Sequence, residues 1–442
     1  MTDAVATGRV ASLRSSVLRL AERPWLVALA IGLAAAAIYL LSNPNRPNIF
    51  DHFVWQAEAF LNGRFAIRWP VHGDEGNWYL HDVMPLAGQP GFALIPFPPL
   101  PAVLLMPLVA VFGVATDQSV LAALLGGLNV ALVWLVASQL TRRRGPALLA
   151  TVFFGFGTVH WYAAMLGSTW YYAHVVAVTF LLLSIILALD GERLERAYGG
   201  RRTRAIDGRQ FVAGLMLGVA ALARLPVIFG APFLLFVGGG GSYLRRGFWA
   251  GLGAAIPLAL LLAYNFGSTG ELIHPAYEYL YRFEYAPRPE LIHRDWMIED
   301  PRYLPQNLAI MLAWPPVIRP ECGLALLDPA CPPISPDPLA MSILLTSPGY
   351  LLVLPALTAW RQRLVLGAGL AVLTIAVFNL MHFSQGWVQF GYRFSNDFAP
   401  YALILVTLGI VKLGLRPLTR FLVAASIVIN AWGVYWGVAL LW

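Results

Sequence analysis

An acid and a histidine, Asp51 and His52, follow closely on the apolar run 25–42, which is long enough to cross a bilayer. A carboxylate held just beyond a membrane surface can take a proton from a hydroxyl group, as a general base does. More titratable and aromatic side chains follow at short spacing, namely Trp55, Glu58, Arg64, Arg68, Trp69, His72, Asp74, Glu75, Trp78, His81 and Asp82. Titratable groups this dense in an otherwise apolar chain predict a functional site in the segment 43–118.

Each leading candidate also has a simpler structural role. Asp51 is the candidate base, and its alternative is the N-cap of an interfacial helix over 53–62. His52 either orients that acid or is an ordinary surface histidine. Glu58 lies two helical turns beyond Asp51 on the same face, where it either helps to bind an acceptor or a cation or is simply solvated.

The composition sets the class of protein. Of the 442 residues, 58% are hydrophobic and only 12% are charged. This is too little polar surface to coat a soluble globule, and apolar runs of about 18 to 22 residues recur along the chain. The net charge of +7 comes from arginines clustered between these runs, where they report membrane topology and not nucleic-acid binding. The sequence therefore predicts an all-α polytopic membrane protein.

About eleven spanning helices are expected in one membrane domain, 1–442. They lie near 25–42, 119–140, 146–164, 173–190, 210–223, 226–241, 248–267, 342–360, 364–381, 397–412 and 421–441. The first of them is expected to be a retained signal anchor. The segment 94–113 is apolar but rich in proline, so we expect it to be re-entrant or interfacial. The arginine clusters then fall inside, which places the N-terminus in the cytoplasm and the two long loops, 43–118 and 268–341, outside.

Two cysteines, Cys322 and Cys331, lie in the second long loop. In an oxidising compartment they form either a local disulfide or a pair of free thiols. A metal site there is less favoured, because no second Cys or His pair stands at ligand spacing.

The order of these features resembles the GT-C superfamily of polyprenyl-phosphate-sugar glycosyltransferases, such as protein O-mannosyltransferases and aminoarabinose transferases. The pieces that carry the resemblance are Phe50-Asp51-His52, Pro98 to Pro107 with Phe112-Gly113, Leu128-Asn129, Arg142 to Arg144, Gly214 to Gly218, Ala223 to Pro226, and Phe390 to Asp397. The resemblance implies inverting transfer of a single sugar from a polyprenyl-phosphate carrier to a glycan, lipid or protein acceptor. It also implies a bacterial plasma membrane location, an extracytoplasmic active site, and Asp51 as the base.

Such a reaction needs cations beside the departing phosphate. Arg224 stands between two apolar runs and is the first candidate; its alternative is to snorkel to the outer headgroups. Arg393 is the second candidate, and its alternative is a simple pair with Asp397. His382 and Tyr392, in the same outside turn, are further candidates for binding the donor phosphate.

Further carboxylates, Asp74, Glu75 and Asp82, follow in the first loop. Asp82 is a candidate accessory or acceptor-binding group. Some GT-C relatives hold a divalent metal with acids in this loop and others use none. The loop contains no closely spaced Asp-x-Asp, so a metal is the less favoured expectation.

Two other classes of function were weighed. A transporter or flippase for a lipid or a lipid-linked sugar would be expected to carry midmembrane charges, broken helices or an inverted repeat, and the sequence shows none of these. A structural subunit would have no need of so many outside His, Asp and aromatic residues. The glycosyltransferase interpretation is favoured over both.

Overall fold

The apolar runs fold into helices, because a backbone in lipid must satisfy its own hydrogen bonds. A computed structural model describes residues 24–44, 50–71, 81–197, 208–283 and 288–441. The candidate side chains His72, Asp74, Glu75 and Trp78 lie outside the described residues. The described helices are α1 (Pro24–Ser42), α2 (His52–Leu61), α3 (Leu100–Phe112), α4 (Gln118–Leu140), α5 (Arg144–Phe156), α6 (His160–Leu166), α7 (Thr169–Ala197), α8 (Gly208–Ala221), α9 (Pro232–Phe236), α10 (Tyr243–Thr269), α11 (Ala276–Phe283), α12 (Leu304–Ala313), α13 (Ile343–Thr346), α14 (Val353–Leu357), α15 (Arg363–Met381), α16 (Ser395–Leu413) and α17 (Pro417–Ala439).

Seven of the described helices are long and apolar enough to cross a membrane, namely α1, α4, α7, α10, α15, α16 and α17. The pair α5 and α6 makes an eighth if it is one span, bent by 50° at the break. Three predicted spans, 210–223, 226–241 and 342–360, are instead built from shorter apolar helices. The all-α polytopic architecture is confirmed, with fewer full-length spans than expected among the described residues. The bend between α5 and α6 marks either a broken span or a re-entrant loop, which the sequence did not reveal.

The proline-rich segment 94–113 contains no helix of spanning length. Its helix, α3, has 13 residues, with Pro101 in the first turn and Pro107 inside. At 1.5 Å per residue this is about 20 Å, less than the ~30 Å hydrocarbon core of a bilayer. The segment is therefore too short in helical form to cross alone, in agreement with the re-entrant or interfacial expectation.

Two small antiparallel sheets, which the sequence did not predict, shape the long loops. Strands β1 (Ile67–Arg68), β2 (Met84–Pro85) and β3 (Phe92–Leu94) pair in the order β1-β3-β2. The register places Ile67 opposite Ala93 and Met84 opposite Leu94. In the second loop, β4 (Val317–Ile318) pairs with β5 (Ile334–Ser335). Between these two strands Cys322 and Cys331 form a disulfide, which decides between the two alternatives for these cysteines.

The core of the domain surrounds α16. Fifteen of its 19 residues are buried, including the acid Asp397 in its first turn. It packs against α5, α7, α14 and α15. By contrast, only 28% of the residues in the apolar stretches of α1 and α10 are buried inside the protein, which leaves the rest to face lipid. A polar side chain on α16 is therefore held deep inside the protein.

Close helix contact depends on glycine where α8 meets α10. A Cβ atom added at Gly253 would lie 2.0 Å from the carbonyl oxygen of Phe211. One added at Gly214 would lie 1.9 Å from the carbonyl oxygen of Ala250. No side chain larger than hydrogen fits at either point unless the two backbones separate.

We expect Gly253→Ala to lower the melting temperature of the detergent-purified protein, because the new methyl group forces α8 and α10 apart. Overpacking of this kind costs about 1 to 3 kcal/mol. Gly251→Ala is the matched control, since a Cβ at Gly251 meets nothing within 4 Å. It should leave the melting temperature unchanged or raise it, because alanine favours helix over glycine. Equal melting temperatures for the two variants would contradict the close contact.

Candidate active site

The main chain before Asp51 is fixed by the first residues of α4 and α7. The carbonyl of Phe50 accepts hydrogen bonds from the Thr169 amide at 3.1 Å and from the Gln118 side-chain amide at 3.3 Å. The ring of Phe50 packs against Trp170 with 4.9 Å between centroids. Two helix starts therefore position the loop that presents the acid.

Asp51 stands at the N-cap position of α2, but its side chain makes no capping hydrogen bond. One carboxylate oxygen, Oδ1, is buried and has no partner among the described residues. Burial, with the nearby charge of Asp117, raises the pKa of Asp51 to about 7. The capping alternative is therefore not realised. At neutral pH the carboxyl group is divided between its acid and base forms, as a general base requires.

His52 is fully buried, so the surface alternative is wrong. Burial lowers its pKa to about 3, which keeps the ring neutral. Its Nε2 faces the carbonyl of His81. Its Nδ1 lies 2.7 Å from the hydroxyl oxygen of Thr169, which also donates to the carbonyl of Phe50. The histidine thus joins α2 to the His81 corner of the loop and to α7.

Asp82 lies beside this corner and is held by α7. Trp170 donates from its indole Nε1 to Asp82 Oδ2 at 2.9 Å. Burial raises the pKa of Asp82 to about 6, although the Trp170 hydrogen bond and the charge of Arg393 oppose the shift. The backbone of Asp82 has φ of +52°, a left-handed conformation that costs free energy in a residue other than glycine. A second carboxylate is therefore held in place near an arginine.

Arg393 is a half-buried cation that makes no ion pair with the described residues. Its Nε is buried without a hydrogen-bond partner. Its guanidinium lies 5.9 Å from the ring centres of Trp170 and Tyr171, and 5.2 Å from that of Phe394. The simple pair with Asp397 is not formed. Arg393 therefore has no carboxylate in direct contact among the described residues, although Asp82 lies close enough to act on its charge.

Asp397 pairs instead with Arg224, at 2.9 Å between Oδ2 and Nη2. It also accepts from Asn379 at 3.1 Å and contacts His174 Nδ1 at 2.7 Å. This ion pair holds the Arg224 side chain, which is 21% exposed. The snorkelling alternative did not include such a partner. It lies 5.2 Å from the ring centre of Phe394, so this ring is flanked by both arginines. The two phosphate-binding candidates therefore share one aromatic neighbour.

The other candidates lie further from this cluster or are engaged elsewhere. Glu58 pairs with Arg64 at 3.1 Å on the surface of the loop. His382 contacts Glu299 at 2.8 Å through Nδ1. Tyr392 is buried and donates to Gln385 at 2.8 Å.

Sequence reasoning missed the contribution of α7. Thr169 and Trp170 bind His52 and Asp82, and His174 binds Asp397. The sequence does contain a relevant pattern: the residues Thr169 to His174, at the beginning of an otherwise apolar helix, include several hydrogen-bonding side chains.

No group of three or more His, Cys, Asp or Glu side chains within the described residues could hold a metal ion. The candidate acids Asp74 and Glu75 are not among those residues.

No protein-family model matches the chain, and no curated protein matches it significantly. Among solved structures it is similar to the apo oligosaccharyltransferase of Archaeoglobus fulgidus, with a TM-score of 0.45 and 13% identity. The match covers 93% of this chain and 55% of that one, so the chain spans about half the length of the protein it matches. A likeness this remote does not assign a function to the chain.

We expect Asp397→Asn to be strongly destabilising, because it leaves the Arg224 guanidinium without its counter-ion. Removing one partner of a buried ion pair costs about 3 to 5 kcal/mol. Thermal unfolding of the purified protein measures this. The control is Glu58→Gln, which breaks a partly exposed pair worth at most about 1 kcal/mol. Similar losses in the two variants would show that Asp397 is not the structural centre of the cluster.

Proposed function

We propose that the protein is a membrane glycosyltransferase that moves one sugar from a polyprenyl-phosphate carrier to an acceptor hydroxyl, with inversion. The observation that carries the proposal is the carboxyl group of Asp51. It has a buried oxygen without a partner among the described residues and a pKa near 7. Its neighbour His52 contacts the carbonyl of His81, and the next residue, Asp82, feels the charge of Arg393. A proton acceptor and a cation that is not held in a direct ion pair are what this reaction requires.

In the proposed reaction, the acceptor oxygen attacks the anomeric carbon as its proton passes to Asp51. The bond from that carbon to the phosphate oxygen breaks, and its electron pair leaves with the polyprenyl phosphate. Arg393 neutralises the charge that develops on this phosphate. The charge of Arg224 is balanced by Asp397, so it would contribute its remaining N–H donors to the phosphate oxygens. Asp82 and Trp170 would bind sugar or acceptor hydroxyl groups.

The sequence resemblance to the GT-C superfamily supports the same reaction, because its motif Phe50-Asp51-His52 coincides with the carboxylate singled out here. The arginine distribution supports an extracytoplasmic site and a cytoplasmic N-terminus. The resemblance supports a bacterial plasma membrane as the location. The acceptor would be a glycan, a lipid or a protein.

A transporter of lipid-linked sugars is the second candidate, and the broken helix α5–α6 favours it. The charged groups of the Asp397 cluster lie near helix ends, with Asp397 in the first turn of α16 and Arg224 in the turn after α8, and not at helix middles. This position favours the enzyme.

We expect Asp51→Asn to lower sugar transfer about 10²- to 10⁴-fold, because it removes the proton acceptor. Membranes with matched protein levels would be supplied with a panel of radiolabelled polyprenyl-phosphate sugars, and donor binding would be measured separately. Asp328→Asn, an exposed acid in the disulfide loop, is the matched control. Normal transfer by Asp51→Asn would refute its role, and no transfer by the wild type with any donor would favour the transporter.

The raised pKa of Asp51 makes two effects depend on pH. Activity should rise as the pH increases through about 7, because only the ionised form of Asp51 accepts a proton. Any residual activity of Asp51→Asn should not show this rise.

Ionising a buried acid costs stability, so Asp51→Asn should have a higher melting temperature than the wild type above pH 7. This difference in melting temperature should shrink as the pH falls toward 4, where Asp51 becomes protonated in both the folded and the unfolded wild type. A pH-independent difference in melting temperature would contradict the assignment.

We expect Arg393→Gln to lower kcat/KM about 10²- to 10³-fold, because the departing phosphate loses its cation. Arg393→Lys should recover part of the loss, since it keeps the charge without the planar fork. Arg319→Gln, at a site near the disulfide, is the control. Steady-state transfer kinetics with varied donor measure the effect. An unchanged rate for Arg393→Gln would place the phosphate elsewhere.

A further inference from the structure

At the opposite end of α7 from Thr169, a second polar site surrounds an open cavity of about 710 Å³. Its charged lining residues are Glu192, Glu195, Arg196, Arg246, Arg361 and Arg363. The cavity lies about 39 Å along the helix from Thr169, at 1.5 Å per residue. It is therefore separate from the candidate active site.

The two acids of this cavity are already engaged. Glu192 pairs with Arg196 at 2.9 Å and accepts from the Gly238 amide at 3.2 Å. Glu195 pairs with Arg246 at 3.4 Å and accepts from the Gly241 amide at 3.3 Å. These bonds fix the glycine-rich turn and neutralise two of the four arginines.

The other two arginines, Arg361 and Arg363, are exposed and form no ion pair with the described residues. Each lies over an aromatic ring instead, Arg361 at 5.4 Å from the centre of Trp360 and Arg363 at 5.5 Å from that of Tyr243. Arg363 is also the first residue of α15, where the helix dipole adds positive potential. The cavity thus carries two uncompensated positive charges.

The aromatic partners of these arginines, Trp360 and Tyr243, are themselves 58% and 48% exposed. Further along α10, Leu244 and Phe248 are 86% and 62% exposed. Aromatic residues beside arginines, next to a bare apolar surface, are typical of the level of lipid headgroups. The positive-inside bias places this end of α7 at the cytoplasmic leaflet, which is the anionic one.

We propose that this cavity binds a phosphate-bearing anion through Arg361 and Arg363, and that its source is the headgroup of an anionic phospholipid. Basic pockets between helices on the cytoplasmic side bind such headgroups in other membrane proteins. A soluble phosphate in the aqueous phase offers the same chemistry, so the test distinguishes it from a lipid headgroup.

The experiment measures the melting temperature of the full chain in nanodiscs of phosphatidylcholine alone or with 30% phosphatidylglycerol or cardiolipin. Inorganic phosphate and pyrophosphate are titrated in a parallel series on the phosphatidylcholine discs. Native mass spectrometry counts the retained anionic lipids. The variant is Arg361→Gln with Arg363→Gln, and its matched control is Arg142→Gln with Arg143→Gln, which removes two exposed arginines outside the cavity.

We expect anionic lipid to raise the melting temperature of the wild type and the control by at least ~3 °C. The cavity variant should lose this gain and bind lipid about 10- to 30-fold more weakly, since each arginine near an anionic surface contributes roughly a factor of five. Arg361→Lys with Arg363→Lys should retain binding. If phosphate or pyrophosphate gives the same gain and the cavity variant loses it, the site stands but its source is soluble.

Three results would overturn the proposal. They are no stabilisation by either class of ligand, an unchanged response in the cavity variant, and equal losses in the cavity variant and the control. Should the double variant fail to give folded protein, Arg361→Gln alone serves the test, because this side chain is exposed and makes no ion pair with the described residues.

Discussion

The ionic cluster around Asp397 holds together the parts of the chain that build the candidate active site. Its carboxylate, which is fully buried, binds Arg224 from the turn after α8, His174 from α7 and Asn379 from α15. A buried charge is costly unless it is paired and hydrogen-bonded, so these segments must meet for α16 to pack at all. Three helices and one connecting turn are therefore fixed relative to each other by a single side chain.

The rest of the site follows from that arrangement. Once α7 is fixed through His174, its first turn places Thr169 and Trp170, which bind His52 and Asp82 of the first loop. Arg393 comes four residues before Asp397 in the chain, so the start of α16 places its guanidinium over Trp170. The loop that carries Asp51 is thus tied to the membrane core by hydrogen bonds to a helix end. A catalytic group on a loop requires such support to hold its geometry.

Much of this fold could be predicted from hydrophobic runs, because lipid imposes one length and one secondary structure on a spanning segment. The short-helix segments were harder to predict, since 210–223 and 226–241 are apolar along their length. The helix of the first nevertheless ends at Ala221, and the second is divided into a 3-10 helix, Leu225–Gly230, and α9. Proximity in sequence suggested a pair between Arg393 and Asp397, whereas the partner is Arg224, 173 residues away. A pattern of residues does not reveal such distant pairs. The burial of His52 was likewise invisible, because it depends on Thr169 and on the His81 corner.

Three acids near the candidate site differ in how completely their oxygens are satisfied, and this difference separates structure from chemistry. Asp397 is bound by a cation, an amide and a histidine, so it has no capacity left for a substrate. Asp82 has one indole donor and a nearby cation, which leaves it able to accept a further hydrogen bond. Asp51 has a buried oxygen with no partner among the described residues, and its pKa is higher than that of Asp82. Unlike the oxygens of Asp397, this oxygen is available to accept a hydrogen bond. Under the proposed function, its partner would be the hydroxyl group of a bound acceptor.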